Sequence, residues 1–561
     1  MQNKINDVSV LIVGSGPIGM CMAILLKMKG ISFRIVEKNA GPSTATKAIA
    51  IHSRSLEIFR EMGVADKLVE AGFSIKNFSI QSKGKKLLNY NFSLLNTAYP
   101  LLLSLPQPKS EQILIDRLLE LDTNIEWNTE FLSMQQNDEQ VISTIRHQDG
   151  TEETITSNWL LCCEGAKSSI RKSLNIPFDG DSYNKFFMLA DVDIEWSGKK
   201  DEGVFFLGNE GGYIAVAPID GKGRYRLFVE MPYELPAEDQ RPTLDVETFE
   251  SICAKRGQPI KISNIDSTAI ATFQHRQVKT IRKDRVFLLG DSAHIGSPIG
   301  GQWMNLGISE VYNLVWKIAY VEQGFAEQTL LDSYQNERYP VTMVVEKTAH
   351  TLTKLITLRN PFLIKMRDWF LPMYRHSKKI QFILPRLISG HSYNYCISKL
   401  IQDDVKGHDR KTWKEKGNNS FPFDAVPKAG HLAPDVPLWN LFGKENNRLL
   451  DLTKGNFVLL LFTGEDQFNI KLHYYQMIID DVQKNYPFIK GYCVLDTVDT
   501  DFIKNNKVIA DPDWRLHKKF YAKPGYIVLI RPDNYIAFQT LHMEALYVYL
   551  KDNSCLKGNF E

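Results

Sequence analysis

Apolar residues form short, almost unbroken runs near the start of the chain and alternate with polar ones in the middle. The two styles predict different sheets. Val8-Ser-Val-Leu-Ile-Val13 reads as a buried strand, Met20 to Lys29 as a packed helix, and Phe33-Arg-Ile-Val-Glu37 as a second strand, which together make a βαβ unit. Ser110 to Leu121 predicts a helix with Leu114, Leu118 and Leu121 on one face, and Trp159-Leu-Leu-Cys-Cys163 another buried strand. From about 181 to 275 the pattern alternates, as in Gly212-Tyr-Ile-Ala-Val-Ala217 and Arg224-Tyr-Arg-Leu-Phe-Val229. That suits a largely antiparallel sheet with one face in contact with something. Val286-Phe-Leu-Leu289 returns to the buried style and feeds a glycine-rich loop, then a helix marked by Ile308, Val311, Val315 and Ile318. Residues 325–405 read as mostly helical, with prolines at 340, 361, 372 and 385 breaking the run. Their basic-aromatic stretch, Phe362 to Lys379, is expected in core-packed helices rather than at a membrane. Lys406 to Asn419 reads as a polar linker. After Pro427 a smaller α/β unit follows, with strands Phe457–Phe462, Tyr492–Leu495 and Tyr526–Ile530 and a helix near 468–484.

Length and charge narrow the class without touching the chemistry. A chain of 561 residues has room for two to four domains. Its 67 basic and 65 acidic residues nearly cancel, so nothing in the charge calls for a nucleic-acid partner. No window approaches the roughly 18 apolar residues of a membrane span. Lys4 and Asp7 lead straight into the first strand, unlike a signal peptide. Seven dispersed cysteines include no CxxC pair, so neither a disulfide scaffold nor a zinc site is expected, and the setting reads as reduced and cytoplasmic.

Chemistry first appears at Gly14-Ser-Gly16-Pro17-Ile18-Gly19, between strand and helix. The first glycine permits the tight turn, the second admits a pyrophosphate to the backbone, and the third lets the helix pack on the strand. Glu37 ends the second strand 18 residues past Gly19, where a carboxylate can accept hydrogen bonds from an adenosine ribose. This pattern indicates a dinucleotide but does not separate FAD from NAD. A second loop, Gly290-Asp291 followed by Pro298, Gly300 and Gly301 and then a helix, points to FAD. That cofactor is too long for one βαβ turn. An aspartate can take the ribityl hydroxyls, glycines before a helix let the backbone reach the flavin edge, and the helix dipole favours the reduced anion.

With these motifs in order, the sequence resembles the FAD-dependent aromatic hydroxylases, the group A flavoprotein monooxygenases. The family's DG motif region looks like Cys163-Glu164-Gly165-Ala-Lys-Ser-Ser-Ile-Arg171, and its GD motif like Gly290-Asp291-Ser-Ala-His294, continuing through Pro298, Gly300-Gly301-Gln302 and Met304-Asn305. Gln107 with Glu111, and Arg54 before a Leu-Glu helix, match further cofactor-contact patterns. Lys38 and Lys47 stand where the resemblance also implies FAD contacts. The implied fold is α/β. It has a Rossmann-like FAD domain (1–75, 107–180, 276–345), an inserted, mostly antiparallel substrate sheet (76–106, 181–275), a helical segment (346–410) and a C-terminal thioredoxin-like domain (428–561). Thr463-Gly-Glu-Asp-Gln-Phe468 lacks the two thiols of redox-active thioredoxins, so that domain is expected to be structural and to offer a surface for a homodimer.

The resemblance implies that NAD(P)H, NADPH favoured, reduces FAD, and that O2 adds at flavin C4a. The hydroperoxide then passes one oxygen to a phenolic or polyketide-like small molecule. Pro298 matches the family proline that faces substrate and flavin, and Trp303 and His294 are further candidates near the reaction; Tyr213, Phe205, Arg226 and His275 are candidates for the substrate, with His294 and His275 also open to a purely structural role. No metal is expected. Two positions depart from the family pattern: Glu164 replaces the usual aspartate, and Trp303 stands where GGQ is usually followed by glycine. Trp303 either walls the substrate site and restrains the flavin or packs away from it. The competing functions are oxidative inactivation of a tetracycline- or rifamycin-like antibiotic and a non-hydroxylating FAD-binding protein. The WxWxIP signature of flavin-dependent halogenases is absent.

Overall fold

The computed structural model describes residues 7–43, 48–196, 198–208, 212–231, 234–238, 241–405, 427–439, 447–464, 469–496, 508–553 and 555–558. The chain divides into two compact units. One comprises Met1–Leu95, Tyr99–Val311 and Thr342–His391, the other Asn96–Ala98, Tyr312–Val341 and Ser392–Glu561.

The first unit is built on parallel strands whose register does functional work. Val8–Val13 lies between Phe33–Val36 and Glu152–Cys162, and the latter also pairs with Val286–Leu288. Val13 is opposite Val36 and Cys162, and Cys162 is opposite Leu288. The chain therefore leaves all these strands at one edge, which gathers the loops at Gly14, Glu37, Cys163–Gly165 and Gly290–Asp291 although they are far apart in sequence. The helix Pro17–Met28 packs behind this edge with Met20 to Leu26 buried.

An eight-stranded sheet completes the unit. Its strands include Asn77–Ser82, Lys85–Asn91, Asp179–Glu195, Tyr213–Pro218, Arg224–Met231 and Lys261–Gln277. All but one of its pairings are antiparallel; Glu202–Leu207 runs parallel to Asn77–Ser82. Both faces are covered, not one. Phe186, Met188, Ile214 and Leu227 pack with Phe249 and Cys253 of the helix Val246–Lys255. The opposite face carries Phe187, Leu189, Tyr213 and Ala215, a separate apolar cluster.

Three of the four prolines expected to break the helical run do not. Pro340, Pro372 and Pro385 sit inside the helices Asp332–Ile356, Pro361–Arg375 and Lys378–Ile388; only Pro361 begins one. A proline costs its helix one hydrogen bond and a kink, and packing outweighs that loss here. Nor is the stretch from Phe362 core-packed: Phe362, Trp369 and Met373 are exposed.

In the second unit a six-stranded sheet carries Phe457–Gly464 at its centre, parallel to Ile489–Leu495 and antiparallel to Tyr526–Ile530. The helices Asn469–Asn485 and Met543–Asp552 complete a thioredoxin-like α/β arrangement. The proposed linker (406–419) and residues 465–468 lie outside the described residues. No described helix is long and apolar enough to cross a membrane.

Candidate active site

One cavity of about 1440 Å³ runs through the first unit. It passes the loop edge of the parallel sheet and continues under the aromatic face of the large sheet. Gly14, Gly16, Pro17, Ile18, Glu37, Lys38, Gln107, Glu164, Gly165, Asp291, Pro298, Gly300, Gly301, Trp303 and Met304 all line it, as do Phe205, Tyr213 and Arg226.

The first end is shaped for a dinucleotide. Gly14 has φ +102°, and a Cβ there would lie 2.4 Å from the Cys163 carbonyl oxygen. A Cβ on Gly19 would strike the Gly14 oxygen at 2.0 Å, so Gly19 serves the helix–strand contact and does not line the cavity. Gly16 differs: its φ is an ordinary −65° and a Cβ would meet nothing within 4 Å. It faces open space at the N-terminus of a helix that no side chain caps, as a site for a pyrophosphate requires. The Ser15 N–H donates to Glu37 Oε2 at 2.9 Å and Asn39 Nδ2 to Oε1 at 2.6 Å. These bonds orient the Glu37 carboxylate at the cavity.

The other two loops are stapled together. Gly165 N–H donates to Ser292 Oγ at 3.0 Å, and Arg171 Nη1 to the Ser292 carbonyl at 3.1 Å. The Glu164 carboxylate accepts from Ser168 Oγ (2.7 Å), Ser169 Oγ (2.5 Å) and Ile170 N–H (3.1 Å), and so ties down the start of the helix Ser169–Ser173. The longer glutamate reaches these donors. Gln107 accepts from Ala48 N–H at 3.1 Å and donates to Glu111 at 2.7 Å.

Gly300 and Gly301 take positive φ values of +88° and +60°, and Trp303 is not among the residues with positive φ. Its indole N–H donates to the Ser297 carbonyl at 2.7 Å while its ring covers Gly296, where a Cβ would come within 2.1 Å. Trp303 is thus pinned as a cavity wall. Gly290 stands against Ile18, and Asn305 braces the loop by donating to the Ala50 and Gly301 carbonyls at 3.0 and 2.7 Å; neither residue lines the cavity.

Three further residues are placed away from it. His294 is buried with Nε2 2.7 Å from Glu310, whose other oxygen takes the Gly290 N–H, so it fixes the loop from behind. His275 pairs with Glu346 on a helix. Arg54 is buried against Glu57 at 2.8 Å rather than free for a phosphate. Lys47 lies outside the described residues.

Sequence reasoning missed His52 and Asp191. His52 Nε2 lies 2.7 Å from the Gly300 carbonyl, while its backbone N–H donates to Asn305 Oδ1 at 2.8 Å. Burial pushes its pKa down to about 4, so it is neutral, and Nε2 carries the proton given to Gly300. The unfolded chain protonates this histidine from 6.5 downward, whereas the folded chain resists until about 4. Stability is therefore lost as pH falls through that window, by about 3 kcal/mol at most. His52→Gln keeps a donor but cannot titrate. Thermal melts from pH 7 to 4 should show a shallower acid loss for the variant; identical profiles would remove His52 from the account. Asp191 accepts from Arg226 Nε and Nη2, both at 2.6 Å, and from Ser267 Oγ at 3.2 Å. An arginine in alternating strands hints at such a partner, but only strand register identifies it: Asp191 is directly opposite Arg226.

Burial raises the Cys162 thiol to about 12 and holds Cys163 well above its ordinary value, so neither supplies a thiolate. No group of metal ligands exists among the described residues.

Fold and cavity suit a protein that holds a long nucleotide cofactor beside an organic ligand, and its family and relatives make it an FAD-dependent monooxygenase. The chain belongs to the family described as the FAD binding domain, whose profile matches residues 7–349. It is 29% identical over 563 residues to 6-methylpretetramide 4-monooxygenase of Streptomyces rimosus, covering 97% of this chain and 94% of that relative. It is 28% identical over 541 residues to pentachlorophenol 4-monooxygenase of Sphingobium chlorophenolicum, covering 94% and 93%. The solved anhydrotetracycline hydroxylase of Streptomyces rimosus shares the fold, with a TM-score of 0.73 at 22% identity over 98% of this chain and 99% of that one.

Proposed function

We propose that the chain inserts one oxygen atom into an uncharged, polycyclic phenol or polyketide-like aromatic compound. The carrying observation is the cavity. At about 1440 Å³ it exceeds the span of roughly 300–1,000 Å³ that suits one ligand, so a second organic molecule has room beside the cofactor. Bound FAD supplies the redox chemistry: with NAD(P)H and O2 it makes one oxygen atom transferable, and the other leaves as water. The chain's residues bind, orient and exclude water. The Gly14–Gly19 turn, Glu37 and the Asp291 loop would hold the cofactor's length, and Gly300, Gly301 and Met304 its ring. Phe205, Tyr213, Phe228 and Phe273 give the neighbouring chamber an apolar, aromatic wall that keeps water from the reacting groups. Burial holds the Tyr213 phenol well above its ordinary pKa, so it is a neutral donor.

Arg226 supports the uncharged substrate. Its guanidinium is already neutralised, bidentately, by Asp191. A carboxylate substrate would find that charge already balanced and would lie beside the Asp191 carboxylate, whereas a neutral carbonyl or phenol needs no unbalanced cation. The pair then serves as a polar anchor in an apolar chamber. The names of the relatives, a pretetramide and a pentachlorophenol monooxygenase, support a phenolic or polyketide-like aromatic substrate.

The test is a panel of polycyclic phenols, tetracyclic antibiotics, rifamycins and carboxylated monocyclic phenols. Each is scored for stimulated NADPH oxidation and for a product heavier by one oxygen. Uncharged polycycles should give coupled product; preferential turnover of the carboxylated phenols would contradict this reading. Coupled product only from antibiotics, with loss of their potency, would favour the inactivation role.

A further inference from the structure

The helix Pro361–Arg375 lies on the strand Lys85–Asn91 with its amphipathicity inverted. Its inner stripe is partly charged. Arg367, 4% exposed, pairs with Asp368 at 2.8 Å; Ser82 Oγ donates to Asp368 Oδ2 at 2.8 Å, and Arg375 Nη1 to the Lys86 carbonyl at 3.1 Å. The outer stripe is apolar at helical spacing: Phe362 (68% exposed), Met366, Trp369 (67%) and Met373 (62%). A contiguous patch of this kind marks an interaction surface.

Charge decides what covers it. Seven lysines and arginines stand between positions 354 and 379 against one acid, Asp368, although the whole chain is only +2. That acid is engaged by Ser82 and Arg367, whereas Lys354, Arg359, Lys365 and Lys379 are exposed. Lys365 stands within the stripe, next to Met366, and a two-fold contact between copies would set this basic segment against itself, which like charges oppose. An anionic bilayer satisfies both features. Trp and Phe enter the headgroup boundary while lysines reach the phosphates. We propose that this helix face docks the enzyme on a lipid surface rich in anionic headgroups. Leu371 on the inner side, with Leu384 of the next helix, packs on the apolar cluster of the substrate chamber. Docking would therefore set the chamber wall beside the phase into which apolar aromatic compounds partition.

Co-sedimentation of the FAD-loaded full chain tests this, with vesicles of phosphatidylcholine alone or mixed with phosphatidylglycerol, beside gel filtration without lipid. The chain should pellet with the mixed vesicles only, and less as salt is added. The triple variant Phe362→Ser, Trp369→Ser, Met373→Ser should bind at least about tenfold more weakly. Lys365→Glu with Lys379→Glu should do the same with the apolar stripe intact. Both variants should keep their FAD content and NADPH oxidation, which shows that they fold. A parent chain that stays in solution with mixed vesicles overturns the proposal, as does a triple variant that pellets like the parent. A dimer that the triple variant converts to monomer, without vesicle binding by the parent, overturns it in favour of a contact between copies. FAD content and turnover are read separately, so none of these failures touches the oxygenase reading.

Discussion

A Gly16→Val variant is expected to fold, to melt like the apo parent, and to be colourless. The backbone at Gly16 is one that any residue adopts, and its side-chain direction opens into space. Valine therefore costs the apoprotein little and instead fills the space at the helix N-terminus where the proposed site would receive the pyrophosphate. FAD affinity should fall by at least about a hundredfold, or about 3 kcal/mol. Flavin fluorescence titration of refolded parent and variant checks it. Gly19→Ala is the contrasting control. Its added carbon would meet the Gly14 oxygen at 2.0 Å, so it should damage the fold whether or not FAD is present. A Gly16→Val variant that retains flavin would show that the cofactor lies elsewhere.

The second large effect is expected in the C-terminal unit. Glu337 is fully buried and accepts from Arg531 Nη1 and Nη2 (2.6 and 2.8 Å), Lys317 Nζ (2.8 Å), Ser398 Oγ (2.6 Å) and Asn313 Nδ2 (2.7 Å). Arg531 also reaches Asp533 at 2.7 Å. Removing one partner strands the others away from water. Glu337→Ala should thus cost about 3–5 kcal/mol, read as a large fall in the unit's melting temperature. Burial opposes ionisation of Glu337, but its two cationic neighbours outweigh burial and hold the carboxyl far below its ordinary 4.5. Its contribution is complete above that value and is lost as pH falls below it. Lys317 behaves differently: burial dominates and pushes it down to about 8. Glu337→Gln should accordingly flatten the acid limb of the melt. A Glu337→Ala variant as stable as the parent would mean the network is solvated.

The parts of this site that were legible in the sequence are those whose chemistry is local. A strand, three glycines and a helix specify a tight strand–helix turn, which the structure places on the cavity, and the Asp291 loop carries its own glycine pattern. What was not legible depends on contacts between distant segments. His294 sits within a motif, yet its role is set by Glu310 on a following helix. Arg54 reads as a phosphate ligand until Glu57, one turn on, is seen to occupy it. His52 looks like an ordinary residue before a helix, because nothing nearby announces that the Gly300 carbonyl will reach it. The helix Pro361–Arg375 fails for the opposite reason. Periodicity locates an apolar stripe but not the side it faces, and here Arg367 and Asp368 took the inner side. The sheet strands show the same limit: alternation identified them, and only the pairing of Asp191 with Arg226 revealed that the chamber's arginine is neutralised.

All of this depends on the loops at Gly14, Cys163 and Gly290 closing around one flavin nucleotide. Titration of the purified full chain with FAD, followed by visible absorbance after removal of free nucleotide, tests that most directly. A yellow protein holding about one FAD per chain is the expected result. A folded chain that stays colourless with FAD in excess would contradict the assignment.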